Sequence, residues 1–210
     1  MNRCDWANGS DMYINYHDKE WGVPVFDDQT LFEFLILETA QAGLSWSTIL
    51  KRRENYNKAY NNFDIEKIAQ YGEAKREELL NNKGIIRNKL KIDASINNAK
   101  RVLEVQEEYG SFSKYLWSFT DFKPVINSWK QLSEVPAETE LSKNIAKDLK
   151  KRGFKFVGSV TIYAYLQAVG IVNDHLIDCF RYREVINNYN KTIENIDYME
   201  RIHCIFHSLL

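Results

Sequence analysis

Two histidine–cysteine pairs stand far apart in this chain and could do chemistry together. His175 and Cys179 lie four positions apart, and twelve residues separate Cys4 from His17. If 173–180 is helical, positions i and i+4 share a face, and the second pair can reach one point. Two sulfurs and two imidazoles complete a tetrahedral zinc set. A metal shared by both pairs would staple the N-terminal segment to a C-terminal helix. The same residues also suit two cysteines buried as small hydrophobes beside two ordinary histidines. With three cysteines in 210 residues, no disulfide framework is expected.

A second constellation lies in "MYINYHDKEWGVP" (12–24) and "ETAQAGLSW" (38–46), which supply Tyr13, Tyr16, Trp21, Glu38 and Trp46. Glu38 ends a strongly apolar helical pattern just before a turn of small residues. A carboxylate there is either a helix-end surface group or a buried acid facing a pocket. Aromatics usually build core, but stacked rings with one acceptor carboxylate would suit a flat, cationic heteroaromatic ligand.

The third is "LKKRGFKFVGSVTIYAYLQAVG" (149–170). A basic helix ends, Gly153 permits a left-handed cap, and Gly158 precedes a new helix starting near Ser159. Amides at such a start, with Lys and Arg beside them, can hold phosphates without reading sequence. An ordinary tight turn with Phe154, Phe156 and Val157 in the core fits the same pattern.

The elements that must position these groups read as helical almost throughout. Asp27 and Asp28 suit the start of a helix running to Gly43. Residues 45–63 repeat Trp46, Ile49, Leu50, Tyr56 and Tyr60 at helical spacing, Asp64 suits a cap, and 73–82 is a short helix. Residues 87–110 form a longer one ending at Gly110, and Ser111 caps the next. Two of three prolines fall in 120–138, which reads as loop, and helices resume at 139–152 and 158–170. No alternating strand pattern stands out, so the class is all-α with up to two subdomains.

Composition sets the bounds. Net charge is −1, which neither marks nor excludes a nucleic-acid binder, although 82–91 and 143–155 are locally cationic. The N-terminus lacks an apolar h-region and no run reaches ~18 apolar residues. A cytoplasmic protein with no membrane segment is therefore expected.

The three constellations together resemble bacterial DNA-3-methyladenine glycosylase I, of the helix-hairpin-helix superfamily. The matching stretches are "RCDW", "YHDKEWGVP", "QAGLSW", "RENY", "GIIRNKLKI", "LKKRGFKFVG" and "GIVNDHLIDC", in the family's order over about residues 1–179. The resemblance implies a helix-hairpin-helix glycosylase fold in which Cys4, His17, His175 and Cys179 hold a structural Zn2+ joining the N- and C-terminal segments. It implies a monofunctional N-glycosylase that flips and hydrolyses 3-methyladenine from alkylated double-stranded DNA and releases the free base. Glu38 would hydrogen-bond the base, Trp46 would stack on it with Tyr16 on the other side, and Trp6, Tyr13 and Trp21 would line the pocket. Gly43 and Leu44 would push into the DNA. Lys151, Arg152, Gly153, Lys155, Gly158 and Ser159 would anchor phosphate. A monomer is expected.

Two positions differ from the wider superfamily. Many members place a Schiff-base lysine two past the hairpin glycine, where this chain has Val160, so no lyase step is expected. Many also carry an aspartate about twenty residues beyond the hairpin; the equivalent place falls near Asn173, with Asp174 beside it as a poor substitute, and the family itself lacks that aspartate. The general base stays open. A zinc-stapled DNA-binding protein without activity is the competing reading. Four protein ligands speak against a zinc hydrolase, which needs an open metal position. Residues 180–210 run past the family's usual end. A helical tail packing Ile202, Ile205, Phe206 and Leu209 is expected there, and a second metal at His203, Cys204 and His207 is the less favoured alternative.

Overall fold

The computed structural model describes residues 1–191. A 3-10 turn, Asp5–Gly9, leads into α1 (Asp11–Lys19). The central helix α2 (Asp28–Gln41) starts where the Asp27 carboxylate accepts from Thr30 N–H at 2.7 Å. Nine of its residues, Leu31 to Ala40 without Glu33, are buried, so no polar stripe remains and α2 sits inside the molecule.

The stretch 45–63 is not one helix. It divides into α3 (Trp46–Leu50), capped by Ser45, and α4 (Arg53–Ala59), with a 3-10 turn after it. The helical face expected from its apolar spacing survives, but a break at Lys51 and Arg52 turns the chain. α5 (Ile65–Ala69) follows the Asp64 cap, and α6 (Glu73–Asn81) leads to the long α7 (Lys89–Tyr109). Gly110 ends α7 at φ +84°, a left-handed position that favours glycine. Ser111 caps α8 (Phe112–Ser118). After the irregular 119–138 come α9 (Glu140–Lys151), begun by a Thr139–Ser142 capping box, and α10 (Ser159–Ala168). Residues 180–191 are helical. The expectations for Ile202, His203, Cys204, Ile205, Phe206, His207 and Leu209 lie outside the described residues.

The all-α reading holds, with one addition: β1 (Val125–Ile126) pairs in parallel with β2 (Val172–Asn173). Two residues give no alternation to detect, so the sequence carried no signal for it. The core runs along α2 and joins α7, α8, α9 and α10 through Phe32, Leu35, Trp117, Ile145 and Leu166. Among the described residues no helix is long and apolar enough to cross a membrane.

Gly170 shows how the two ends of the chain meet. A Cβ there would lie 2.3 Å from the backbone of Val23, so only glycine allows this approach. The 22–25 segment then donates from Gly22 N–H to the Gln167 carbonyl and from Val25 N–H to the Val169 carbonyl.

Candidate active site and metal centre

Cys4, His17, His175 and Cys179 converge, all buried, with their ligating atoms within 4.8 Å of one another. His17 rides on α1. The expected helix over 173–180 is absent, however: 174–179 is irregular and turn, and helix begins only at 180. His175 and Cys179 therefore meet by a tight turn, held as Cys179 N–H donates to the Leu176 carbonyl. The cluster brings α1 and the N-terminal segment to this turn.

The donor set fits a metal. Sulfur–nitrogen separations are 3.4 Å for Cys179–His17, 3.6 Å for Cys4–His175 and 3.7 Å for Cys179–His175. A tetrahedral site with ordinary metal–sulfur and metal–nitrogen bonds has edges of about 3.6 Å. The outer nitrogens are already used: His17 Nδ1 lies 2.8 Å from an Asp18 carboxylate oxygen, and His175 Nε2 lies 3.0 Å from the Trp21 carbonyl. That leaves His17 Nε2 and His175 Nδ1 facing the sulfurs. Asp18 is itself gripped by Arg3, whose guanidinium holds that carboxyl down at about 2. Gly22 permits the approach, since a Cβ there would sit 2.9 Å from His175 Nε2.

Beside this centre opens a cavity of about 530 Å³. One side carries Trp6, Tyr13, Tyr16, Trp21, Glu38 and Trp46, the whole aromatic set expected from the sequence together with its acid. Trp6 packs edge-on against Trp21 and Tyr13, with centroids 5.0 and 5.9 Å away. Glu38 is 5% exposed, and its Oε2 has no hydrogen-bond partner. Burial alone pushes its carboxyl up to about 8. Among the described residues, no lysine, arginine or histidine lines the cavity.

The sandwich expected between Trp46 and Tyr16 does not match this arrangement. Their rings touch, with centroids 5.4 Å apart and a 45° tilt. A base between two rings needs roughly 7 Å, twice the contact distance of carbon atoms. As they stand, Trp46 and Tyr16 lie against each other and leave no gap for a flat ring between them.

The rest of the lining was not foreseen. It comes from Leu132, Val135, Pro136 and Ala137 of the irregular segment, and from Tyr163, Ala164 and Gln167 on α10. With Val160, the α10 residues recur at 160, 163, 164 and 167, one helical face, which is a signal that could have been read. Residues 132–137 have no periodicity, so nothing local pointed to them.

The basic hairpin splits into two kinds of residue. Gly153 takes φ +88° and Phe154 and Val157 enter the core, whereas Phe156 turns outward, 38% exposed. Asn97 and Asn98 of α7 hold the turn, donating to the Gly153 and Lys155 carbonyls, while Lys155 N–H donates to Asn98. Lys151 and Lys155 are exposed. Arg152 is not free for phosphate: its guanidinium donates to Glu108 at 2.6 and 3.1 Å, to Asp148 at 2.7 Å and to Tyr109 at 2.9 Å. Lys143, Lys147 and Lys150 on α9 face Ser159 across a shallow depression. Ser159 Oγ donates to Glu138, and Gly158 leaves the start of α10 without a side-chain cap. Gly43 has φ +78° with open space around it, and Leu44 is 40% exposed.

A family model described as methyladenine glycosylase matches residues 6–182. The chain is 48% identical over 177 residues to DNA-3-methyladenine glycosylase of Haemophilus influenzae, covering 84% of this chain and 96% of the relative. It is 46% identical to DNA-3-methyladenine glycosylase 1 of Escherichia coli, covering 87% and 97%. The solved 3-methyladenine DNA glycosylase I of Staphylococcus aureus, studied for its recognition of 3-methyladenine, superposes with a TM-score of 0.83 at 39% identity, covering 86% of this chain and 96% of that one.

Proposed function

The chain belongs to the methyladenine glycosylase family, and we infer that it excises 3-methyladenine from alkylated DNA, hydrolysing the N-glycosidic bond of an extruded nucleotide. The observation that carries this reading is the Glu38 oxygen left, among the described residues, without a partner in an aromatic cavity that none of their cationic side chains lines. A buried acceptor left unpaired costs about 1–3 kcal/mol, so it is kept for a ligand that brings the donor.

The chemistry follows from the substrate. Methylation at N3 makes the adenine ring cationic, and its bond to the sugar is already weak. Extrusion from the stack costs a few kcal/mol, and stacking on Trp46 returns about 1–3 kcal/mol. Glu38 accepts from the adenine edge. With no cation beside it, its carboxyl is neutral at pH 7 because burial raises it to about 8; a cationic ring favours the ionised form and strengthens the bond. Neutral adenine has nearly the same shape but offers no charge, so it leaves the acid poorly satisfied. When the glycosidic bond breaks, its electron pair leaves with the base, which becomes neutral. Water adds to C1′ and its proton goes to solvent. Val160 stands where a Schiff-base lysine would be needed, consistent with simple hydrolysis.

We assign zinc to the Cys4–His17–His175–Cys179 set. Its four donors would make a closed, structural site, holding α1 to the turn over 174–179. Residues 1–179 form the catalytic unit, and the chain acts as a cytoplasmic monomer. Lys147, Lys150, Lys151, Lys155 and the Gly158–Ser159 helix start take the DNA backbone, and Leu44 on the Gly43 turn fills the gap left by the extruded nucleotide.

The test is release of free base from alkylated duplex DNA at enzyme excess, with titration of free 3-methyladenine against wild type and Glu38→Gln. Wild type releases 3-methyladenine; the variant stays folded, binds the free base at least about ten-fold more weakly and excises far more slowly. A folded variant that binds as tightly as wild type overturns the role of Glu38. Absence of released base from wild type overturns the function and favours a DNA-binding protein without activity.

A further inference from the structure

Lys91 is poorly placed for its own helix. It lies in the first turn of α7, at the positive end of the helix dipole, and burial lowers the pKa of its ammonium. Its partners lie on another helix. Nζ donates to the Ala40 carbonyl at 2.8 Å and to the Ala42 carbonyl at 2.6 Å, 51 and 49 residues away in sequence. These carbonyls end α2, whose last turn carries Glu38 and has no basic residue of its own. Lys91 supplies, from α7, the cation that the carbonyl end of α2 lacks.

The bond to Ala42 acts on the turn that follows. Ala42 has φ −43° and ψ 116°, Gly43 has φ +78°, and Leu44 N–H donates to the Gln41 carbonyl. These values define a type II turn over 41–44. Its central peptide joins Ala42 to Gly43, and the oxygen of that peptide is the one Lys91 holds. Turning the peptide over gives a type I turn, which carries the oxygen to the other side and gives position 43 a φ of about −90°. Packing does not choose between the two forms. Ala42, Gly43 and Leu44 are exposed, and a Cβ on Gly43 would meet no atom within 4 Å. Among the described residues, Lys91 is the side chain that hydrogen-bonds the backbone of this turn.

We propose that Lys91 is a positioning residue: it fixes the 41–44 turn in its type II form before DNA arrives, so that Leu44 meets the duplex as a wedge already shaped. This rests on the glycosylase reading and on the role given there to Leu44. A turn free to adopt both forms would have to be ordered on the duplex, and that ordering would oppose extrusion. The free base, held inside the cavity by Glu38 and Trp46, would not feel the difference. Lys91 therefore acts on opening the duplex and not on recognising the base.

The experiment separates those two steps. Lys91→Met keeps the length of the stem and removes the donor. It binds free 3-methyladenine within about two-fold of wild type, yet releases it from duplex DNA about ten-fold more slowly or worse at enzyme excess. The loss falls below about three-fold when the lesion faces a one-nucleotide gap, where extrusion costs less. A double-mutant cycle reads the turn itself. Gly43→Ala strains a positive φ, so it lowers the melting temperature of wild type by about 3 °C, and that of Lys91→Met by less than half as much, because the released turn can adopt the type I form. Lys91→Ala, which lets water reach the two carbonyls, replaces the methionine variant if that does not fold; if neither folds, the lysine supports the whole domain and the inference falls. Unchanged duplex excision in the folded variant, an equal loss on free base, gapped and full duplex, or additive melting shifts in the cycle overturns the inference and leaves the glycosylase reading intact. Leu44→Ala excising from duplex as fast as wild type removes the wedge and this inference with it, and a wild type that releases no base removes the glycosylase reading as well.

Discussion

The Cys–His cluster and the aromatic cavity share a wall but treat their polar atoms in opposite ways. At the metal centre every donor has an assigned neighbour: the sulfurs face imidazole nitrogens at 3.4–3.7 Å, and each outer nitrogen has an oxygen beside it. Among the described residues, Glu38 Oε2 and Trp46 Nε1 of the cavity lining have none. A satisfied, closed cluster holds structure, whereas a buried group without a partner waits for a ligand.

The comparison breaks first at the metal. Cys4→Ser/Cys179→Ser should bind no zinc and lose on the order of 4 kcal/mol or more of stability, because metal binding is folding energy here. Metal analysis with a thermal melt checks it, and one retained equivalent of zinc in the folded double variant would contradict the assignment.

Glu38→Gln should do the reverse for stability. Folding raises the Glu38 carboxyl from an ordinary 4.5 to about 8. Between those values the folded state holds a proton that the unfolded state has lost, so this residue erodes stability as pH rises from about 4.5 to 8. The variant should therefore match wild type near pH 4.5 and exceed it at pH 8 by a few kcal/mol, roughly. Melts across that range decide it; a difference independent of pH would show that Glu38 is not desolvated in solution.

Trp46→Ala should weaken free 3-methyladenine by about 1–3 kcal/mol, while Tyr16→Phe, which keeps its ring, should leave stacking intact. Fluorescence or calorimetric titration separates the two, and an equal loss in both would show that the Tyr16 hydroxyl holds the base as much as stacking on Trp46 does.

The smallest effect sharpens the phosphate surface. Lys147→Ala or Lys150→Ala should weaken damaged and undamaged DNA alike, each making the salt slope shallower by about 0.9, as expected for one phosphate no longer neutralised. Arg152→Ala should mainly lower stability, since Arg152 bridges Glu108 and Asp148 and packs 5.0 Å over the Tyr115 ring. A salt slope shallower by a full unit in the arginine variant would place Arg152 on the DNA after all.

Much of this was legible in the chain because its signals are local. Asp64, Asn88, Ser111 and Thr139 cap their helices through side chains within three residues. Glycine at 110 and 153 ends helices through its own backbone freedom. Glu38 stood out because a carboxylate closes an apolar run. The helix expected over 173–180 failed because the metal turn is shaped by contacts with residues more than 150 positions away.

Sequence alone therefore determined the kinds of atom available: two thiols, two imidazoles, one acid among aromatics, and a basic turn before a helix. The pairing of those atoms was decided in three dimensions. Cys4 reaches His175 across 171 residues, the 132–137 segment becomes a cavity wall without any periodic pattern, and Arg152 turns to its own carboxylates. Local hydrogen bonds are encoded by neighbours, so spacing reveals them. Burial, orphaned acceptors and uncompensated charge depend on which distant surfaces close around a side chain, and only the folded chain fixes that.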